Sequence, residues 1–335
     1  MSITGDCVQL RPSSGWAADV AAAPMNRSLQ WCPQAPLQRI RLDWLDAAGV
    51  ELACLRLDLI DPLVSGNKWF KLAPHLRAAL ASGARGVISL GGAHSNHLHA
   101  LAAAGRRFGF ATVGLLRGDA QRTPTVDDLL AFGMELHWLG YGGYRARHQA
   151  DFWQPWLARY PGFHPVGEGG LSLAGAEGCR ALVEMAQAQL AEIGWQDFDA
   201  WWLAAGTGTT LAGLVLGEQG RRPVHAALAV PASHGVARQV AALLDDACCP
   251  QRHYQLVESA RGGFARLDEP LRQFILATER DSGLPLEPVY TGKALMALRD
   301  FCQGGHLPRG SRLIFVHTGG LQGRRALMGA DYTQN

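Results

Sequence analysis

Residues 201–218 read WWLAAGTGTTLAGLVLGE, and this stretch decides the fold class. The apolar run Trp201–Ala205 predicts a buried strand, and the run Leu211–Glu218 predicts a helix. The glycines and threonines of Gly206–Thr210 predict the turn that joins them. A buried strand that leads through a glycine turn into a helix is the unit from which parallel sheets are built.

The same pattern recurs on both sides of this stretch. Further strands are predicted at Leu52–Arg56, Gly86–Leu90, Ala111–Leu116, Glu135–Leu139, Val224–Val230 and Arg312–Val316. Further helices are predicted at Phe70–Ala81, Asn96–Arg107 and Ala174–Ile193. The alternation predicts the α/β class, with a parallel sheet covered by helices on both faces. Ligands of such sheets bind at the carboxyl ends of the strands, so we expect the functional residues in the strand-to-helix turns.

Composition excludes several classes of protein. The 335 residues predict about two domains at roughly 150 residues each. A net charge of +2 is too balanced for a nucleic-acid-binding surface, and 48% apolar residues exclude general disorder. The two longest uncharged stretches, Gly86–Gly105 and Ala200–Gly217, contain polar turns, so we expect no membrane segment. The seven cysteines form no CxxC pair and no metal-like group, so we expect a reduced, cytoplasmic protein without a metal.

Lysine is rare in this chain. Of the 31 lysine and arginine residues, only three are lysines, namely Lys68, Lys71 and Lys293. An amine can form an imine, whereas a guanidinium stays protonated and cannot. Lys68 lies in residues 65–72 (SGNKWFKL) at a predicted helix start, where a cation is poorly placed for stability, so we interpret it as a reactive amine. Lys71 lies one turn later on the same face, as a second base or a structural ion-pair partner.

Two turns resemble anion sites. Gly206–Thr210 offers backbone N–H groups and hydroxyls suited to a phosphate, without the GK[ST] of a nucleotide loop. Residues 91–97 (GGAHSNH) lead into a helix capped by Ser95 or Asn96, and such a start suits a carboxylate. The alternative for each is an ordinary turn. A phosphate site, a reactive amine and a carboxylate site together fit pyridoxal phosphate (PLP) and an amino-acid substrate.

Six motifs occur in a recognisable order along the chain. They are Gly66-Asn67-Lys68, Gly91-Gly92 with Ser95-Asn96-His97, Glu168-Gly169-Gly170, Gly206–Thr210, Pro288–Lys293 and His317–Gly320. This series resembles the 1-aminocyclopropane-1-carboxylate (ACC) deaminase/D-cysteine desulfhydrase family. The resemblance implies a PLP enzyme of fold type II, the tryptophan-synthase-β-like fold, with two domains that each have a helix-covered, mainly parallel sheet. We expect an irregular leader over 1–30, a large PLP-binding domain over 31–75 and 190–335, a small domain over 76–189, and a homodimer.

The resemblance also implies roles for individual residues. Lys68 matches the Schiff-base lysine, and Tyr290 matches the active-site tyrosine beside the cofactor ring. Ser95 and His97 match residues that bind the substrate carboxylate, and Ser95 also lies near the proton-transfer path. The cofactor-binding residues implied are Lys68, Asn96, Gly206, Thr207, Gly208, Thr209, Thr210 and Thr318. The substrate-binding residues implied are Ser95, Asn96, His97, Tyr290 and Thr291.

The chain departs from the ACC deaminase pattern. Thr291 and Thr318 stand where ACC deaminases carry Glu and Leu, which is the desulfhydrase pattern. Phe264 replaces an expected second tyrosine, and Phe70 and His94 replace an Arg and a Gln. A hydroxyl such as that of Thr318 favours a neutral ring nitrogen and a moderate electron sink, which suits elimination.

We therefore expect a PLP-dependent lyase or deaminase. The reaction that we expect is a D-cysteine desulfhydrase-like α,β-elimination on a small amino acid that gives a keto acid, ammonia and sulfide. The alternatives are ACC deaminase-type ring opening and a PLP-binding protein with little turnover. A nicotinamide-dependent oxidoreductase built on Gly206–Gly213 would need a glycine where Leu211 stands.

Overall fold

The computed structural model describes residues 8–10 and 29–327. The predicted leader, residues 1–30, lies outside the described residues except for 8–10, 29 and 30. The strands are β1 Val8–Leu10, β2 Leu37–Ile40, β3 Glu51–Arg56, β4 Gly86–Gly91, β5 Ala111–Leu116, β6 Glu135–Trp138, β7 Phe163–Val166, β8 Ala200–Ala205, β9 Val224–Leu228, β10 Tyr254–Glu258 and β11 Arg312–His317.

Helices connect most of these strands. The α-helices are α1 Asp43–Ala48, α2 Lys68–Ala81, α3 Asn96–Phe108, α4 Pro124–Ala131, α5 Gly140–Arg145, α6 Gln154–Arg159, α7 Leu173–Cys179, α8 Ala181–Gln187, α9 Thr209–Glu218, α10 Val236–Asp246, α11 Glu269–Ser282, α12 Thr291–Gln303 and α13 Arg324–Leu327. Short 3₁₀ turns lie at Leu57–Leu59, Ala146–His148, Glu168–Gly170, Ala191–Ile193, Ala232–His234 and Leu321–Gly323.

The chain divides into two compact units. One comprises residues 1–32 and 72–171, and the other comprises 33–71 and 172–335. The second segment of the predicted large domain begins at residue 190. The second segment of the corresponding compact unit begins at Ser172. The predicted domain limits, which include a cofactor-binding role for one domain, stay a prediction.

The first unit holds a five-stranded sheet in the order β1-β6-β5-β4-β7. Its strands are parallel except β1, which pairs antiparallel with β6. Every residue of β4 is buried, as expected for a central parallel strand with both faces covered. Ile88 and Leu90 of β4 pack in a core that includes Phe152 and Trp156.

The second unit holds a six-stranded sheet in the order β10-β9-β8-β11-β3-β2. In the described residues, four of the strand pairs in this sheet are parallel, and only the pair of β2 with β3 is antiparallel. Every residue of β8 is buried, and Trp202 packs in the main core with Phe315 of β11. The prediction of an α/β protein with mainly parallel sheets is confirmed for both sheets.

Four strands were not predicted, and all four lie at the edges of their sheets. They are β1, β2, β7 and β10. An edge strand is partly exposed and lacks the continuous apolar run of a central strand. Pro165 in β7 is tolerated because an edge position requires fewer backbone N–H donors. The single predicted helix Ala174–Ile193 was wrong in its continuity, since α7 ends at Cys179 and α8 begins at Ala181.

Candidate active site

Three adjacent strands of the second unit have their carboxyl ends along the same border of the sheet, which we call its carboxyl edge. Strand β11 lies between β8 and β3, and both pairings are parallel. Gly206 directly follows β8, and Thr318 directly follows β11. The segment that follows β3 leads through a 3₁₀ turn to Gly66 and the start of α2. Parallel pairing therefore brings three of the predicted motifs to one edge.

Two glycine-containing segments cross in close contact at this edge. Gly66 has φ 81°, and a Cβ there would lie 2.3 Å from the carbonyl oxygen of Thr318. A Cβ on Gly319, which has φ 75°, would lie 2.6 Å from the Cα of Gly66. The Asn67 N–H donates to the Thr318 carbonyl at 3.2 Å. The crossing fixes the first residue of α2, which is Lys68.

The Lys68 amine is buried and lies near a second lysine. Its Nζ donates to Asn67 Oδ1 at 2.8 Å and lies 5.9 Å from the centre of the Tyr290 ring. Burial, aided by the nearby charge of Lys71, lowers the pKa of Lys68 to about 7. An amine with this pKa is substantially neutral at neutral pH, which is the state that a nucleophile or base requires.

Asn67 connects this amine to the threonine turn. Its Nδ2 donates to Thr210 Oγ1 at 2.8 Å, and both residues are buried. Thr207 Oγ1 and Thr209 Oγ1 share a hydrogen bond at 2.9 Å. Gly208, with φ 76°, precedes the first residue of α9. The turn thus presents hydroxyls at a helix N-terminus, an arrangement that attracts an anion.

Lys71 is a second buried cation beside this turn. It is 4% exposed, and burial lowers its pKa. In the part of the chain that the structure describes, no carboxylate forms an ion pair with it, so the predicted ion-pair role has no partner here. The Cys179 thiol interacts electrostatically with Lys71 and Lys68 and hydrogen-bonds to Thr210. Lys71 is therefore a buried amine that is linked to the threonine turn through Cys179.

The Tyr290 turn is held by a buried carboxylate. Glu287 accepts hydrogen bonds from the N–H groups of Val289 at 2.7 Å and of Tyr290 and Thr291 at 2.6 Å each. Burial raises the pKa of Glu287 to about 6, although these N–H groups oppose the shift. Thr291 is fully buried, and its hydroxyl accepts from the Glu287 N–H at 2.9 Å. In this structure the Thr291 hydroxyl therefore serves the turn.

Tyr290 also packs against the turn after β8. A Cβ on Gly206 would approach the Tyr290 ring to 3.0 Å, so the absence of a side chain at Gly206 lets the ring lie close to the backbone. Thr318 is 8% exposed and contributes its carbonyl to the crossing described above. Within the second unit the structure therefore brings together Lys68, Gly206–Thr210, Tyr290 and Thr318.

The other predicted residues form a turn in the first unit. Ser95 caps α3, because its Oγ accepts from the Leu98 N–H at 3.2 Å, and partly buried Asn96 is the first helical residue. His97 is 2% exposed, and its Nε2 lies 2.8 Å from Ser89 Oγ. The Ser89 hydroxyl donates to the Val166 carbonyl at 2.8 Å, so His97 Nε2 must be the donor to Ser89. The ligand-binding roles of Ser95, Asn96 and His97 stay predictions.

Two residues of the site were missed by the sequence reasoning. Asn67 lay inside a quoted motif without a role, and Glu287 preceded another motif by one residue. Asn67 binds a residue 143 positions away, so its role depends on the tertiary fold. Glu287 did carry a local signal, since a carboxylate just before a helix start often accepts backbone N–H groups.

Two kinds of feature are absent from residues 8–10 and 29–327. No three His, Cys, Asp or Glu side chains lie together as a metal ion would require. None of the helices combines the length and apolar character needed to cross a membrane.

Comparison with known proteins gives a consistent result. The pyridoxal-phosphate dependent enzyme family matches residues 32–319. The bifunctional D-cysteine desulfhydrase/ACC deaminase of Arabidopsis thaliana, a mitochondrial protein, is 27% identical over 335 residues, covering 92% of this chain and 81% of that protein. The ACC deaminase of Mesorhizobium japonicum is 28% identical over 318 residues, covering 85% and 90%. The crystal structure of an ACC deaminase homologue has a TM-score of 0.74 at 24% identity, covering 93% and 96%, which shows a shared fold.

Proposed function

This chain belongs to the pyridoxal-phosphate dependent enzyme family, whose cofactor is PLP, and we propose that it catalyses an α,β-elimination on D-cysteine or a similar small amino acid. With D-cysteine, the Cα–H and Cβ–S bonds break, sulfur leaves as sulfide, and water supplies the oxygen of the keto acid. Nitrogen leaves as ammonia, so one D-cysteine and one water give one pyruvate, one ammonia and one hydrogen sulfide.

One observation carries the proposal. The Lys68 amine lies beside Tyr290 with its pKa lowered to about 7, next to the threonine turn. A neutral lysine in such a place is what covalent attachment of an aldehyde requires. The other two lysines differ, since Lys293 binds backbone carbonyls and Lys71 lies one turn further along α2.

The residues of this site fit the cofactor. Hydroxyls and N–H groups at the start of α9, together with the buried amine of Lys71, suit a phosphate. Gly208 keeps this turn in a left-handed backbone conformation that disfavours other residues. Lys68 would hold the aldehyde, and Thr318 would face the ring nitrogen.

The chain's own groups would perform the remaining work. The bound cofactor supplies an electron sink for the bond electrons released at the substrate α-carbon. Lys68, neutral near pH 7, would remove the α-proton, because an amine of matched pKa is an effective general base. Ser95 and His97 would bind the substrate carboxylate, and Asn96 would bind the ring hydroxyl. Tyr290 would flank the substrate.

The Tyr290 turn favours elimination over ring opening. Opening a cyclopropane ring requires protonation of carbon, whereas a thiol has a pKa of about 8.5 and leaves readily as thiolate. Thr291, which follows Tyr290, bears no acidic group, and its hydroxyl is already bonded to Glu287. The Glu287 carboxylate accepts three backbone N–H groups and stabilises the turn.

An amino-acid panel tests this function. D-Cysteine, L-cysteine, β-chloro-D-alanine, D-serine and ACC would each be incubated with the holoprotein, and keto acid and ammonia would be measured. We expect release from D-cysteine and β-chloro-D-alanine and none from Lys68→Ala. Faster release from ACC than from D-cysteine would establish ring opening instead. A yellow protein that releases nothing from any of the five would contradict the proposal.

A further inference from the structure

Lys293 is a buried lysine with no part in the site described so far. It lies in the first turn of α12 and is 1% exposed. Its Nζ donates to the carbonyl oxygens of Ala260 and Gly263 at 2.8 Å each. Burial of an ammonium is costly, and burial lowers the pKa of Lys293. A charge retained at such a place serves the two carbonyls that it binds.

Those two carbonyls belong to a loop with an unusual backbone. We call residues 260–267 the Phe264 loop. Arg261 has φ 49° and Ala265 has φ 58°, a region that non-glycine residues seldom adopt. A loop with such strain needs outside contacts to keep one conformation. The contacts of Lys293 supply them at the centre, and the Arg261–Asp268 ion pair, at 2.8 Å, supplies one at the side.

Phe264 connects this loop to the active site. Phe264 is 48% exposed, yet its ring packs edge-on against the Tyr290 ring, with ring centres 6.0 Å apart. The Tyr290 ring in turn lies 5.9 Å from Lys68 Nζ. A continuous series of contacts therefore runs from Lys293 through the loop and Phe264 to Tyr290 and Lys68.

We propose that Lys293 is a positioning residue, which holds the Phe264 loop closed so that Phe264 braces Tyr290 beside the reactive amine. The inference rests on the proposed function only where it identifies Lys68 as that amine. Lys293 binds neither Lys68 nor the threonine turn in the described contacts, so its loss should weaken substrate binding and leave cofactor attachment intact.

Tryptic cleavage measures whether the loop is held. Arg261 and Arg266 both lie in the Phe264 loop, so trypsin can cleave it at two sites. Lys293→Met removes the charge and the donors and keeps a long side chain. Met296→Ala is the matched control, because it shortens another buried side chain of the same helix and removes no hydrogen-bond donor to the loop. We expect cleavage of folded holoprotein after Arg261 and Arg266 to accelerate about tenfold in K293M and to stay near the wild-type rate in M296A.

Steady-state kinetics provides the second measurement. In K293M we expect KM for D-cysteine to rise about tenfold with kcat within about threefold of wild type, since the change affects a binding wall and leaves the amine in place. The absorbance maximum of the bound cofactor should not move. Lys293→Gln replaces K293M if the methionine variant does not fold.

Two results would overturn the inference. One is loop cleavage in K293M equal to that in M296A. The other is acceleration at all exposed arginines alike, which would show general destabilisation. If the wild-type protein acts on none of the amino acids tested, the proposed function fails while the cleavage measurement still decides the role of Lys293.

Discussion

At the scale of single residues, the site depends on how burial changes the chemistry of one amine. Lys68 lies close to Lys71 and to the Tyr290 ring, and its amine donates a hydrogen bond to the uncharged Asn67 side chain. The Asn67 side chain and the Tyr290 ring do not compensate a full positive charge on Lys68. Burial therefore favours the neutral amine more than it is favoured in an exposed lysine. The chemistry proposed for the site follows from this depressed pKa.

The first prediction concerns the reactivity of Lys68 in cofactor-free protein. Its acylation rate by a small amine-reactive reagent should rise with pH and reach half its maximum near pH 7, where the amine becomes neutral. An exposed lysine would reach this point near about pH 10.4. Because the chain has only three lysines, peptide mass spectrometry can follow each one separately. A midpoint for Lys68 above about pH 9 would contradict the structure.

The second prediction concerns Asn67. Asn67→Ala removes the hydrogen bonds to Lys68 and Thr210, and we expect the dissociation constant of PLP to rise about tenfold. Fluorescence titration measures the constant, and circular dichroism checks the fold. Thr210→Val breaks the same Asn67 contact from its other end. The double variant should therefore lose less than the sum of the single losses, and strict additivity would show that the contact is unimportant.

A comparison of the predicted and observed positions of these residues shows what the sequence can and cannot reveal. Lys68 was predictable because lysine is rare and this one stands at a helix start. Asn67 was not, since its partner Thr210 comes from another turn of the sheet. The role of Thr291 in substrate binding stays a prediction, and the structure adds that its hydroxyl is bonded within the Glu287 turn, a contact that the sequence does not show.

At the scale of elements, two turns set the positions of these side chains. The crossing of Gly66 with Thr318 and Gly319 fixes the start of α2, and the Glu287 turn fixes Tyr290 at the start of α12. Both turns were quoted as motifs in the sequence, but their backbone contacts depend on strands that pair in the folded sheet. The edge strands were missed for a related reason, since partial exposure leaves no apolar run to detect.

The third prediction concerns the glycine crossing. Gly66→Ala places a side chain on a left-handed backbone, where it clashes with the Thr318 carbonyl. We therefore expect the free energy of unfolding to fall by about 3 kcal/mol or more and the protein to fail to retain PLP. Gly83→Ala is the matched control, because Gly83 has φ 68° with nothing within 4 Å of its Cβ position. The free energy of unfolding of the Gly83→Ala variant should fall by only about 1 kcal/mol. Equal losses in denaturant unfolding of the two variants would contradict a role for the crossing.

The fourth prediction concerns the pH dependence of Glu287. Its pKa rises on folding from the ordinary value of 4.5 to about 6, so the native state binds the proton more tightly than the unfolded state. Stability must therefore fall as pH rises through this window, by about 2 kcal/mol for this one group. Glu287→Gln does not titrate.

The measurement is denaturant unfolding at several pH values between about 4 and 7, a range that brackets both pKa values. The stability of the wild-type protein relative to E287Q should decline as the pH increases. A relative stability that is constant or that increases with pH would contradict the burial assigned to this carboxylate.

At the scale of the whole molecule, the chain uses distant segments to build one sheet edge. The second unit takes β2 and β3 from the part of the chain between β1 and β4 of the first unit, and it takes its other strands from after β7. The α/β class was predictable because central parallel strands are long apolar runs bounded by glycine. The division of those strands between two sheets was not, because the order of pairing leaves no mark in a local pattern.

The central claim is that Lys68 is the amine joined to PLP, and borohydride reduction of the purified holoprotein tests it most directly. Reduction makes the bond permanent, and peptide mass spectrometry then locates the reduced cofactor. The structure predicts the adduct on Lys68 alone and its absence from Lys68→Ala. An adduct on Lys71 or Lys293, or one that persists after Lys68 is replaced, would contradict the account.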